Sequence, residues 1–182
     1  STYNNLKSNI DFNIAINQLE LAQSYIKKMQ LLYDASSKEQ QESHTNYLFA
    51  CIESLGLKYK NLKQYDKSES TYLKTQTYIK NDFSKMKLHA NLGILFYDKE
   101  DFKKSLAEIN QSLTYFPENT KSISFSMLAN IKSELLMKLN QEKESVELLY
   151  LLFTRMLDVQ YSNLDFQKLS IKDFNDLNSN RH

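Results

Sequence analysis

The sequence predicts an all-α fold made of antiparallel helix pairs, and three observations support that prediction. The 182 residues include only two glycines and one proline, so the residues that turns between strands require are scarce. Apolar residues recur at helical spacing along most of the chain. One stretch, which contains both glycines, occurs twice: Leu55–Ser68 is matched by Leu92–Ser105. We expect about seven to eight helices in a single domain over residues 1–182.

The repeated stretch keeps a fixed internal spacing. An aromatic residue lies 3 positions after each glycine, a second aromatic 9 after it and a serine 12 after it: Gly56, Tyr59, Tyr65 and Ser68, then Gly93, Phe96, Phe102 and Ser105. Glycine inside a helix costs about 1 kcal/mol relative to alanine, so a close helix crossing must compensate. Two small residues on either side of a polar turn predict a helical hairpin. Because one hairpin cannot bury its apolar face alone, such hairpins are expected to stack as a solenoid.

The order of leucine, glycine, aromatic residue, second aromatic residue, serine and finally Pro117 resembles the tetratricopeptide repeat. Residues 86–119 form the fullest copy and residues 49–82 form a second strong copy, although Lys80 stands where the proline would be. The glycines are 37 residues apart (56 to 93), more than the ~34 of that repeat. The helices or their connections must therefore be longer here. The resemblance implies an α-solenoid, a superhelix that binds proteins.

Weaker copies flank the two strong ones. A degenerate copy over about 126–159 has Ser133 in the glycine place, 40 residues after Gly93 (93 to 133), which implies a longer connection. Residues 11–34 resemble the second helix of a partial repeat whose first helix is missing. An amphipathic stretch at about 164–177 is expected to form a closing helix, because the end of a solenoid otherwise exposes apolar surface.

Capping residues and helical spacing give the elements in order. Residues 1–10 are polar and expected to fray, and residues 34–43 form a polar break. The first expected helix runs from Asp11 to about Tyr33, the second follows the polar break and ends at about Asn61, and the third runs from about Tyr65 to Ile79. The fourth is capped by Asn81-Asp82 and includes Phe96, and the fifth is capped by Asp101 and runs through Leu113. The last two run from Asn119-Thr120 to about Leu139 and from about Gln141 to Leu157.

Composition and charge exclude several classes of function. The net charge is +1 and both signs are interspersed, whereas a nucleic-acid interface needs clustered basic residues. No apolar run is long enough to span a bilayer. The single cysteine, Cys51, allows no internal disulfide. A cytoplasmic location is slightly favoured, and an extracytoplasmic one fits if the chain is an excised segment.

No catalytic, metal-binding or cofactor-binding set is predicted. His44, His89 and His182 have no histidine or cysteine at metal-ligand spacing, and two distant glycines cannot form a phosphate loop. Cys51 lies on an apolar face, where a buried and inert thiol is the favoured interpretation. His89 is expected to pack between helices, and His44 is expected to be solvated. We therefore expect a chain that is not an enzyme and uses no cofactor.

The resemblance also implies that the first helix of each hairpin lines a concave groove. The groove candidates are Glu53, Leu57 and Lys60 in the first strong repeat, Lys87, Asn91, Ile94 and Tyr97 in the second, and Asn130, Glu134 and Met137 in the degenerate one. Some members of the family hold a peptide's terminal carboxylate with lysine and asparagine, which here are Lys87 and Asn91. Glu53 and Glu134 replace the other donors and argue against that grip. The alternative, that these residues are only solvated, stays open.

Two hypotheses of function follow. The first is a non-catalytic scaffold that binds a protein or an extended or helical peptide through its concave face. The second is a sensor or regulatory segment of a larger bacterial signalling or transcription regulator, whose effector module lies outside this chain. The apparently incomplete first repeat and the missing initiator methionine motivate the second.

Overall fold

A computed structural model describes residues 2–117, 120 and 122–160, and in that part of the chain the regular structure is entirely helical. The all-α prediction is thus confirmed. Following the chain, the helices are α1 Thr2–Ala15, α2 Leu19–Asp34, α3 Lys38–Asn61, α4 Tyr65–Lys74 with a 3₁₀ turn at Thr75–Tyr78, α5 Asp82–Asp98, α6 Phe102–Leu113, α7 Ile123–Lys138 and α8 Glu142–Gln160. The stretch at 164–177, predicted as a closing helix, lies outside the described residues.

The chain divides into two compact units, Ser1–Tyr115 and Phe116–His182. In the first unit α1 packs on α2, α3 on α4 and α5 on α6. The first helices also contact one another, α1 with α3 and α3 with α5, and each second helix contacts the next first helix. In the second unit α7 packs on α8.

The predicted hairpin crossing is confirmed at the residues that predicted it. The hydroxyl of Ser68 donates to the carbonyl oxygen of Gly56 at 2.8 Å, and Ser105 donates to Gly93 at 2.7 Å. A Cβ atom added to Gly56 would lie 2.5 Å from Cε1 of Tyr72, closer than van der Waals contact allows. The glycine therefore gives the second helix access to the backbone of the first, which offsets its low helix propensity.

A residue with left-handed backbone ends the first helix of every described hairpin. These residues are Asn17, Lys63, Glu100 and Asn140, with φ near +60°. In each case the following amide donates to the carbonyl five residues back, as from Gln64 to Tyr59 at 2.9 Å. This Schellman ending satisfies carbonyls that the helix leaves without partners, and it turns the chain into the second helix.

The amino-terminal segment differs from its prediction. The continuous helix expected from Asp11 to Tyr33 was wrong, because α1 ends at Ala15 and α2 begins at Leu19. Residues 2–10 are helical rather than frayed, so the partial repeat predicted at 11–34 lies within a complete hairpin. Buried contacts explain why residues 2–10 form a helix: Ile10 is fully buried, and the Tyr3 ring stacks on His44 of α3 with 3.8 Å between the ring centroids.

The other boundaries deviate less. The predicted caps at Asn81 and Asp101 are confirmed, since their side chains accept from the amides of Ser84 and Lys104. Helix α3 is 24 residues long and starts at a capping box on Ser37, earlier than expected. The 3₁₀ turn at Thr75–Tyr78 lies between the two glycines, and the wide interval from α6 to α7 matches the longer connection expected before the degenerate copy.

Two apolar clusters hold the first unit together. The larger joins α1, α2 and α3, with Met29, Leu48 and Ile52 at its centre. The smaller joins α4 to α5 through Tyr72 and Leu95, both almost completely buried. Each cluster is shared between neighbouring hairpins, so a hairpin of this unit does not fill its core alone.

Candidate partner-binding surface

Helices α3 and α5 lie side by side, and the predicted groove residues of the first unit lie on them. Positions 53, 57 and 60 of α3 and 87, 91 and 94 of α5 follow the i, i+4, i+7 spacing that aligns side chains on one face of a helix. We name this surface the α3/α5 face and define it by Glu53, Leu57, Lys60, Lys87, Asn91, Ile94 and Tyr97.

The structure brings three of these side chains into direct contact around one carboxylate. Oε2 of Glu53 lies 2.5 Å from Nζ of Lys87, and Oε1 accepts a hydrogen bond from Nδ2 of Asn91 at 2.8 Å. The Glu53 side chain is only 17% exposed, so both of its oxygens depend on these partners. The two donors that could hold a peptide carboxylate are thus occupied by a carboxylate of the chain itself.

A second ion pair crosses the same face. Nζ of Lys60 lies 2.9 Å from Oδ2 of Asp98, and the lysine side chain is 16% exposed. Asp98 was not predicted as a site residue, although it follows Ile94 by one helical turn on the same face of α5. Ion pairs at this level of exposure each contribute about 0–1 kcal/mol, so their main effect here is to fix side-chain positions.

The same face also carries apolar surface. Leu57 is 46% exposed, while Ile94 and Tyr97 are half-buried and the Tyr97 ring lies 5.9 Å from that of Phe102. Sequence reasoning missed Phe83, which is 65% exposed and lies one turn before Lys87. Nζ of Lys87 lies 5.8 Å from the centroid of the Phe83 ring, within cation–π range. Charged and apolar groups therefore alternate along the face.

In the second unit, the predicted residues share one exposed face of α7. Asn130 and Glu134 are exposed and Met137 is 49% exposed. Ile123 and Met127, which were not predicted, continue that face at helical spacing and are 80% and 61% exposed. A large apolar residue three, four or seven positions before a predicted position, on the same helical face, is the sequence signal that could have found them, as at Phe83.

The cysteine and two of the histidines occupy packed positions. Cys51 is almost completely buried, and burial raises the pKa of its thiol to about 12, which disfavours the nucleophilic thiolate. His89 lies between helices, with Nδ1 2.7 Å from Oε2 of Glu108 and its ring stacked on Tyr115. His44 is half-buried, with one side of its ring stacked on Tyr3 and its hydrogen bonds exposed, so the expectation that it is solvated holds only in part. His182 lies outside the described residues.

The described part of the chain contains no group of three or more His, Cys, Asp or Glu residues that could hold a metal ion. None of its helices is both long enough and apolar enough to cross a membrane. Comparison with protein-family models, with curated proteins and with solved structures finds no match to this chain.

Proposed function

We propose that this chain is a non-catalytic scaffold that binds a protein or peptide on the first helices of stacked hairpins, as in a tetratricopeptide-like solenoid. The contacts in residues 1–115 support this arrangement, because first helices adjoin first helices and each second helix adjoins the next pair. Hairpins stacked in this order form a continuous surface along one side.

The observation that carries the proposal is the composition of the α3/α5 face. Exposed apolar groups at Leu57 and Phe83 stand beside fixed charges at Lys87 and Lys60. Apolar side chains of a peptide would supply binding energy there, and the charges would select its orientation. Because Glu53 already holds Lys87 and Asn91, the ligand we propose is an internal segment of a chain rather than a free carboxyl terminus.

The test is a peptide selection followed by a matched pair of substitutions. Peptides would be selected from a random display library against the purified chain, and affinities measured by fluorescence polarisation. Leu57→Glu, which changes the proposed face, is expected to weaken selected peptides by about tenfold or more, since it exchanges apolar contact for a charge. Leu73→Glu is the control, because Leu73 on α4 is similarly exposed, at 42%, but lies off the face.

The double change Tyr97→Ala with Lys87→Glu probes the same face and should also lower affinity. Lys87→Glu sets a second carboxylate beside Glu53, so exchanging the charges with Glu53→Lys is needed to restore the ion pair. If Leu57→Glu and Leu73→Glu weaken binding equally, or if selected peptides bind all variants alike, the partner site lies elsewhere.

A further inference from the structure

A crevice opens between α2 and α4, on a different side of α3 from the residues of the α3/α5 face. It encloses about 450 Å³, within the range of small-molecule sites. Its floor is apolar and consists of Ile26 from α2 with Ile52 and Leu55 from α3, each at most 5% exposed. These three side chains are held in place by their packing in the core, so the bottom of the crevice is apolar and fixed.

Each side of the crevice carries a lysine, Lys27 from α2 on one side and Lys74 from α4 on the other. Neither lysine has an acidic partner among the residues that the structure describes. Gln30 lies about one turn after Lys27, and Tyr78 lies about one turn after Lys74. Nε2 of Gln30 donates a hydrogen bond to the Tyr78 hydroxyl at 3.2 Å and links the two sides of the crevice. This bond places both lysines at the same end of the crevice.

The only acidic residue of the lining is Glu20, in the first turn of α2. It precedes Lys27 by seven residues, or about 10 Å at 1.5 Å per residue, so it stands well away from the lysine end. With two lysines against one glutamate, the lining carries a net positive charge that is concentrated at one end. The floor is apolar, whereas the opposite end carries Glu20, Gln23 and Ser24.

We propose that the crevice between α2 and α4 binds a small organic monoanion with an apolar body, of which a medium-chain carboxylate is the simplest example. The carboxylate lies between Lys27 and Lys74, which donate charge-assisted hydrogen bonds to it. The hydrocarbon tail lies on Ile26, Ile52 and Leu55. Nothing in this site uses the α3/α5 face, so it stands independently of the peptide-binding proposal.

The probe is octanoate, compared with octyltrimethylammonium, which has the same tail and the opposite charge. We expect octanoate to shift the amide resonances of α2 and α4 and the methyl resonances of Ile52 and Leu55 in a saturable way. The cation is expected to bind at least about tenfold more weakly, because it meets two like charges.

Three variants of the full chain complete the experiment. Lys27→Gln and Lys74→Gln are each expected to weaken octanoate binding by about five- to tenfold, the loss of one charge-assisted contact. Lys80→Gln, an exposed lysine outside the crevice, should leave it unchanged. Equal affinity for the two probes, undiminished binding by both crevice variants, or resonance shifts that map to α7 instead would overturn the proposal.

Discussion

The hairpins α3–α4 and α7–α8 cross in the same way with different residues. Ser68 donates to the carbonyl of Gly56 at 2.8 Å, and Ser145 donates to that of Ser133 at 2.9 Å. The first helix nevertheless carries a glycine in one case and a serine in the other. The crossing bond therefore does not by itself require glycine.

The two hairpins differ at the residue 16 positions after the crossing residue, by which we mean the glycine or serine of the first helix whose carbonyl accepts the hydrogen bond. In α4 it is Tyr72, which is 1% exposed and would lie 2.5 Å from a Cβ at Gly56, whereas in α8 it is Leu149, which is 45% exposed. In α3–α4, glycine is thus required because the Tyr72 side chain occupies the space that a Cβ atom would need. Where the equivalent residue points outward, a serine fits.

The other two hairpins extend the comparison. In α5–α6 the equivalent residue, Ile109, is fully buried, and the crossing residue is again a glycine. In α1–α2 the order is reversed, with a buried Ile10 in the glycine place and a buried Ala22 in the serine place. Ile26, 16 positions after Ile10, is also buried, so in this hairpin a large residue at that level is accommodated without a glycine, with the small residue on the second helix instead.

The largest effect is expected where glycine is sterically required. Gly93→Leu should lower the free energy of unfolding by more than ~2 kcal/mol through overpacking, because a Cβ there would lie 2.6 Å from Cδ1 of Ile109. Urea denaturation measures the change. Combining Gly93→Leu with Ile109→Ala should cost less than the sum of the two single changes. Strict additivity would show that Ile109 is not what the leucine meets.

A middle-sized effect is expected at the crossing hydroxyls. Ser105→Ala removes one buried hydrogen bond and should cost about 1 kcal/mol. Ser145→Ala should cost more, about 1–3 kcal/mol, because Ser145 also bonds the Ser133 hydroxyl at 2.7 Å, which would lose its partner. Thermal denaturation of both variants tests the order, with Ser70→Ala as the exposed control. An equal loss for the two would contradict the comparison.

The smallest effect is a gain in stability at the residues with left-handed backbone that end the first helices, Asn17, Lys63, Glu100 and Asn140, which we call the left-handed corners. Glu100 has a φ of 61°, which strains a side-chain-bearing residue, so Glu100→Gly should stabilise the chain by about 0.5–1 kcal/mol. Asn140→Gly should gain less, since asparagine tolerates this conformation better. Glu144→Gly, within α8, should destabilise by about 1 kcal/mol and serves as the control. Melting temperatures of the three variants would decide, and a loss at Glu100 would refute the strain argument.

The fold class and the two strong hairpins could be predicted because their determinants are local. Gly56 and Ser68 lie in one short stretch, and the caps at Asn81 and Asp101 act on amides three residues away. The amino-terminal hairpin could not be found in the same way. Its crossing uses Ile10 and Ala22, which look like any apolar pair, and its corner residue Asn17 carries no glycine signal.

The candidate surface was predictable only in part, for a similar reason. Helical spacing placed Glu53 and Lys87 correctly on neighbouring first helices, but no spacing rule shows that the two would pair with each other. Phe83 lies one turn before Lys87 and Asp98 lies one turn after Ile94, and they were missed because the family pattern does not include them. Long-range contacts of this kind depend on how far one hairpin is shifted along the next.

The left-handed corners have one more consequence. Each lies seven residues after its crossing residue, from Ile10 to Asn17 as from Gly93 to Glu100, yet successive corners are separated by 46, 37 and 40 residues (17, 63, 100 and 140). All of this variation lies between a corner and the next crossing residue, and part of it is inside the first helix, since α3 begins 18 residues before Gly56 (38 to 56) and α5 begins 11 residues before Gly93 (82 to 93). Insertions and deletions should therefore be tolerated before a crossing residue and not between crossing and corner, so the segment from crossing to corner is the piece of chain whose length is fixed.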